Sequence, residues 1–504
     1  MPSRSNRFIS GLVSGYGSIA ANVIFTMTSI PLALHYLEKE QFGLWALAVQ
    51  INGYLGLIDL GMSSAVSRFI ADYKDDVDGG EYGSHLLTGA LVFLVQGVLI
   101  ALAGMVFSWF APQAFAIPNH LAHEFELLIL ILTSTTGLSV FLRSAGAPLW
   151  AFQRNDVVYG CASVGLFLML GLLWIGFHLG WGVMSFAIAQ IPMLICTILA
   201  YTWVCIRNHY YPSLGKWRAP SLTIFWKIFH FGKDNLLISM GAQLTSASQI
   251  MIISRWISLD AAATFSIATK FYAMSMQLTT NPVSASAPGL AELWVRNERK
   301  RFVSRYWDLI SIVLFISTVA AVGLTIGNKA LISIWTQTDV QWTGFGDFML
   351  GLMIIVRNVN GCFLGLFGIT KNWGPVKFIP LAEGVAFVTL AILLNGRFGL
   401  DGILLISLIA HLAITSLLSS RAAKSVIGSS TKIALPLMAS LAYTGIWFAI
   451  TWTTSLFGLN NYTVLAIAIL SGIISIATMW KITLPRSLRE QVIHRIKGFA
   501  SALG

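Results

Sequence analysis

Charge is what this sequence has least of. Asp, Glu, Lys and Arg make up 11% of its 504 residues, where a soluble protein carries about 25%. Acidic residues number 21 against 32 basic ones, for a formal net charge of +11. So few polar groups cannot solvate the surface of a large globular domain, and a soluble fold is excluded. Cysteine is scarce too. Cys161, Cys196, Cys205 and Cys362 lie in or beside apolar runs, at spacings that suggest neither a disulfide framework nor a metal site. There is no phosphate-cradling P-loop, no Gly-x-Ser-x-Gly elbow and no His-Glu-x-x-His sequence. His120 and His123 stand near Glu124 and Glu126, where a solvated outer loop is the better reading than a metal centre. No outer loop is large enough for a catalytic domain, so a membrane glycosyltransferase or polymerase is disfavoured. The protein is expected not to be an enzyme and to need no cofactor. The alternating ten-residue pattern of an outer-membrane barrel is also absent.

What the chain has is apolar length. Hydrophobic residues make up 56% of it, and its mean hydropathy is +0.74. Successive runs of roughly 20 residues are each long enough to cross a bilayer. They predict an all-α polytopic membrane protein with about fourteen transmembrane helices. The expected spans are 11–34, 43–66, 86–110, 124–148, 157–177, 183–206, 235–255, 264–288, 307–327, 346–369, 376–396, 402–420, 433–453 and 463–480. Alternate connecting segments differ sharply in Lys and Arg. Only Lys39, Arg255, Lys329 and Arg397 fall on one side, and Lys270 and Arg357 fall within spans. The positive-inside rule then puts both termini in the cytoplasm. Placed this way, the positive charge serves topology, and no nucleic-acid partner is expected.

The chain also repeats itself. At an offset of 220, residues 36–48 (YLEKEQFGLWALA) lie over 256–268 (WISLDAAATFSIA), and Ala71-Asp72 lies over Ala291-Glu292. This predicts an N-terminal lobe at 1–206, an interfacial bridge at 207–234 and a C-terminal lobe at 235–427. An extra helix pair follows at 428–480. Residues 481–504 form a basic tail, in which Leu488, Val492, Ile496, Phe499 and Leu503 share one helical face. Bridge and tail suit an anionic inner leaflet, and equally suit plain positive-inside anchoring.

Ionisable residues at membrane depth are the candidate chemistry, because a charge there is costly and normally faces a bundle interior or a wet cavity. In the stretch Gln41 to Asp72, Asn52, Asp59 and Ser63 recur at seven- and four-residue steps, on one face of a helix. Arg143 follows Thr136 and Ser139 at the same steps. Lys270 begins a stripe through Gln277, Asn281 and Ser284, in a span that Pro282 and Pro288 are expected to open. Arg357 has Asn360 one turn on, and Glu383 lies in the next span. Arg143, Lys270, Arg357, Asn52 and Gln277 are the candidate substrate-binding residues, and Asp59 and Glu383 the candidate ion-coupling ones. The bland alternative is that these groups pair with one another or snorkel. An excess of cations suits an anionic cargo such as a phosphate or acidic sugar.

The segment FGLWALAVQINGYLGLIDLGMSSAVSRFIAD (42–72) resembles the polysaccharide transporter family. These are the O-antigen-type lipid-linked oligosaccharide flippases of the multidrug/oligosaccharidyl-lipid/polysaccharide (MOP) superfamily. AFQRND (151–156) looks like the short inner loop of that family, and GITKN (368–372) is its echo in the second half. The resemblance implies two six-helix lobes, helices 1–6 and 7–12, around a central cavity, as in MATE transporters. It implies movement of an undecaprenyl-pyrophosphate-linked oligosaccharide across the inner membrane, for lipopolysaccharide or exopolysaccharide synthesis. Membrane lipids, and a polysaccharide polymerase or ligase, are the partners it suggests. A multidrug exporter on the same fold is the alternative, and a scaffold for glycan assembly a third reading.

Overall fold

A computed structural model describes residues 4–338, 341–394, 398–428, 431–455, 458–491 and 493. The described residues form helices joined by short connections, with no strand among them. It divides into two units, residues 1–263 and 264–504.

The first unit contains α1 (Arg4–Tyr36), α2 (Lys39–Leu55), α3 (Met62–Asp72), α4 (Glu81–Ala114), α5 (Asn119–Ala151) and α6 (Asn155–His178). The short α7 (Met184–Ile188), then α8 (Gln190–Arg207) and α9 (Leu222–Trp256), complete it. α10 (Leu259–Ala268) carries the chain over the division. The second unit holds α11 (Lys270–Val295), α12 (Arg299–Thr336), α13 (Gly344–Thr370) and α14 (Ile379–Leu394). After them come α15 (Gly399–Ala410), α16 (Leu417–Ile427), α17 (Thr431–Ser455) and α18 (Asn461–Ile482).

Twelve of these helical stretches are long and apolar enough to cross a membrane. They correspond to twelve of the fourteen expected spans. The remaining two, 43–66 and 264–288, are interrupted helices. Helix α2 gives way to a tight 3-10 turn at Gly56–Asp59, and Leu60 and Gly61 both take left-handed backbone angles before α3 begins. The second interruption falls at Thr269, between α10 and α11. Pro282 and Pro288 do not open their helix as expected. α11 runs unbroken through both, and the break lies upstream, where the sequence has neither Gly nor Pro.

Two connections also differ from expectation. Residues 222–234 of the expected bridge are helical and continuous with the following span, so α9 is one 35-residue helix. It packs along α2 and α3, close enough that a Cβ on Gly232 would lie 2.6 Å from the Leu60 carbonyl oxygen. His120 and His123 begin helix α5 rather than sitting in a loop, with His120 Nε2 3.7 Å from Glu40. Of the tail, residues 494–504 and Val492 lie outside the described residues, as does Arg397. Leu488 is buried, and Gln491 accepts from Arg305 at 3.3 Å.

Each unit has its own apolar core. In the first, Val66, Ile70, Tyr82, Phe93 and Ile100 close over the end of α3. In the second, Phe302, Tyr306, Ile310, Cys362 and Leu366 join α12 to α13. The final pair, α17 and α18, packs on α12.

Candidate functional site

A helix broken within a bilayer frees backbone groups that lipid cannot satisfy, so neighbouring side chains must do so. Both breaks use an amide. Gln96, buried on α4, donates to the Asp59 carbonyl at 2.7 Å. Asn328, buried on α12, donates to the Ala268 carbonyl at 3.1 Å. Asn328 also donates to Asp347 at 2.6 Å, which ties the end of α12 to the start of α13.

The break in the first unit carries the first cluster. Ser63 Oγ donates to Asp59 Oδ1 at 2.6 Å, and Arg143 Nη1 donates to Ser63 Oγ at 3.0 Å. Arg143 also stands 3.8 Å from Asp59, with about half of its side chain exposed. One turn-pair earlier, Asn52 Nδ2 donates to Thr136 Oγ1 at 2.8 Å. Asn52 and Asp59 thus meet the Thr136–Arg143 face of α5 at two levels, in spite of the break between them. On its other side, α2 meets α9. Gln243 Nε2 donates to the Gly53 carbonyl at 2.9 Å, and the Tyr54 hydroxyl bonds to both Ser248 and the Gln243 carbonyl.

The second unit holds a more buried cluster on α13, α14 and a π-helical turn at His411–Ser416. Such turns often mark functional positions. Glu383 Oε2 accepts from His411 Nδ1 at 2.9 Å and from the Thr415 hydroxyl. Its other oxygen faces Arg357 Nη2 at 3.7 Å, and Nη2 also donates to buried Ser407 at 3.0 Å. Asn360 continues the network, with Nδ2 3.1 Å from His411 Nε2 and 2.6 Å from Ser416 Oγ. Ser419 donates to Asn360 Oδ1 at 3.4 Å.

Lys270 is placed differently. It is the first residue of α11, half-buried at the break, and makes no ion pair or hydrogen bond among the described residues. The partial positive charge of a helix N-terminus adds to its own. Gln277 lies two turns on, exposed, with no side-chain hydrogen bond among the described residues.

The candidate residues therefore fall into two clusters, with Lys270 and Gln277 apart from both. Sequence reasoning missed His411, Thr415 and Ser407, and missed Tyr54 with its partner Ser248. The signal for His411 was present: it is an ionisable residue inside the apolar run LISLIAHLAITSLL.

Comparison with known proteins sets this geometry in a family. The polysaccharide biosynthesis protein family matches residues 6–294, more than half of the sequence. This chain belongs to that family. Solved structures show the fold. One is described as lipid II flippase MurJ in an inward closed conformation, at a TM-score of 0.68 and 17% identity over 94% of this chain and 98% of that one. Another is an inward-facing multidrug resistance MATE family transporter of the MOP superfamily, at 0.65 and 14% identity over 81% and 95%. A MOP superfamily transporter from Pyrococcus furiosus matches at 0.58 and 12% identity over 84% and 96%. No curated protein matches the sequence. The protein is a multi-pass α-helical membrane protein of the MOP fold, and these structural neighbours are transporters rather than enzymes.

Proposed function

We propose that the protein is a flippase. It moves an undecaprenyl-pyrophosphate-linked oligosaccharide, an O-antigen or exopolysaccharide repeat unit, across the bacterial inner membrane by alternating access. Both termini stand in the cytoplasm. Membership of a polysaccharide biosynthesis family supports the pathway, and the likeness to a lipid II flippase supports the class of cargo.

The observation that carries the reading is Lys270. A lysine at membrane depth costs several kcal/mol without a partner, and it is normally paired or on a substrate path. Here it has no counter-ion among the described residues and sits where a helix dipole reinforces its charge. Such a group binds an anion, and a pyrophosphate or an acidic sugar is the anion this cargo supplies. Arg143, half exposed, offers a second cation in the first unit. Arg357 is committed to Glu383 and serves cargo only when that pair loosens. Asp59 and Glu383, the ion-coupling residues, each already face a cation. Little free negative charge remains for a cationic drug, which argues against the multidrug alternative.

The test is the lipid-linked glycan profile of cells lacking the protein, complemented by wild type or by Lys270→Gln. Undecaprenyl-linked oligosaccharide accumulates on the cytoplasmic face, and wild type clears it while the variant does not. An unchanged profile in the deletion strain removes the flippase reading and leaves the drug exporter.

A further inference from the structure

We propose that Glu383 and His411 form a proton-binding site in which the imidazole takes the proton and the Asn360 amide turns over to follow it. The site names the coupling ion of the transporter proposed above. It rests on that reading only for what the proton drives.

The arrangement selects against a metal cation. Sodium needs a shell of free oxygen ligands, and Glu383 has none to give. Oε2 already accepts from His411 Nδ1 and Thr415, and Oε1 faces the Arg357 guanidinium at 3.7 Å. A proton needs only one lone pair, and His411 Nε2 carries it. In the arrangement seen, Asn360 Nδ2 donates to Nε2, so the imidazole is neutral with its hydrogen on Nδ1, pointing at Glu383.

Protonation at Nε2 makes that nitrogen a donor, and an Asn360 NH2 opposite it no longer fits. Turning the amide over restores every bond. Asn360 Oδ1 then accepts from Nε2–H and from the Ser416 hydroxyl, and Nδ2 donates to Ser419 Oγ. Ser416 and Ser419 can do this because a hydroxyl both donates and accepts. His411, Asn360, Ser419 and Glu383 are all buried, so neither state has bulk water to fall back on. The balance is simple: a hydronium ion gives up one O–H bond as one N–H bond forms at Nε2, and no covalent bond in the protein breaks.

Charge connects the site to cargo. With a neutral imidazole, Glu383 and Arg357 cancel. With an imidazolium, Glu383 is held by His411, and Arg357 gains a free charge. Arg357 from α13 and Tyr272 from α11 are the other titratable groups facing the pair. On the elements packed against the π turn, Asp401, Arg421 and Lys424 lie ten or more residues away from His411, about 15 Å along a helix, and Asp401 is bound by Thr343. Lys377 lies six residues before Glu383, at the start of its span.

The experiment is a pH titration of the full-length protein, labelled with nitrogen-15 histidine and held in lipid nanodiscs. Among its 9 histidines, His411 is assigned as the resonance lost in His411→Gln. As the sample is taken from about pH 8 to 5, the imidazole is expected to take up one proton, unaffected when sodium replaces potassium. Asn360→Leu removes the acceptor for Nε2–H and lowers the midpoint, while Asn360→Asp raises it by about one pH unit or more. An imidazole that stays neutral across the range, or one whose signal sodium displaces, overturns the proton site. A midpoint indifferent to Asn360→Leu overturns the amide reversal. If His411 titrates as described while the deletion strain has a normal glycan profile, the flippase reading fails and the proton site stands.

Discussion

The backbone carbonyl of Gln243 accepts from the Tyr54 hydroxyl at 3.2 Å, while the Gln243 side chain donates to the Gly53 carbonyl at 2.9 Å. Two adjacent residues of α2 are thus fastened to one residue of α9. Each bond is expected to be worth about 1 kcal/mol net, and the two share a partner. Gln243→Leu should lower stability by about that amount, and Tyr54→Phe, which also removes the bond to Ser248, by about twice as much. The double variant should lose less than their sum, because the groups act as one unit. A double-mutant cycle of melting temperatures in detergent or nanodiscs measures the coupling. Strict additivity would mean that the two bonds are independent.

Close approach of α2 to the start of α10 makes a sharper prediction. A Cβ on Gly43 would stand 2.1 Å from the Leu259 carbonyl oxygen, a backbone atom that cannot rotate away. Gly43→Ala should force the chain apart and cost about 1–3 kcal/mol, the usual range for overpacking. Gly171 has open space where its Cβ would be, and Gly171→Ala is the matched control. Loss of folded protein in the first and none in the second, by fluorescence-detected size exclusion, is the expected pattern.

How much of this was legible in the sequence depends on the distance over which each feature is specified. Crossing a bilayer needs a local run of apolar residues, so twelve spans can be found from hydropathy. The two breaks cannot. Gly56 and Gly61 flank Leu57-Ile58-Asp59-Leu60, where Asp59 signals a wet face rather than a break, and nothing at Ala268-Thr269-Lys270 marks an interruption. What holds each break open is an amide on another helix, Gln96 or Asn328. Pro282 and Pro288 pointed the wrong way for a related reason: neighbouring groups can satisfy a freed carbonyl without a kink. Asn52 and Asp59 were picked by helical spacing, but their partners Thr136 and Arg143 lie more than 80 residues on, beyond any periodic signal. His411 was passed over because a histidine counts as neutral in a search for charge.

Outside the membrane, a loop is tied down by one carboxylate. Asp78 accepts from the Ser213 backbone N–H at 2.8 Å and from its hydroxyl at 3.1 Å. These bonds, the backbone one foremost, hold the carboxyl below the usual Asp range. A carboxylate depressed in the folded state contributes above its unfolded pKa, about 3.9, and its contribution is lost as pH falls through the lower folded value. Protection of the Ser213 amide should therefore be constant near neutrality and drop only below about pH 4. Hydrogen exchange read by mass spectrometry, corrected for the intrinsic rate, follows it. Asp78→Ala should show the unprotected value at every pH.

The last prediction separates a functional lysine from a structural one. If Lys270 merely anchored a helix, replacing it would lower stability and leave transport in proportion to the protein remaining. A cation held without a partner, at the positive end of a helix, is a strain on the resting protein instead. Lys270→Met keeps the length of the side chain and removes the charge. It is expected to raise stability by about 1 kcal/mol, the scale on which functional residues trade stability for activity. Glycan export should fall to the level of the deletion strain in the same variant. Lys270→Arg keeps the charge and should retain partial export. A variant that melts lower and exports normally would return Lys270 to the anchoring role, and the anionic cargo would then have to be held elsewhere.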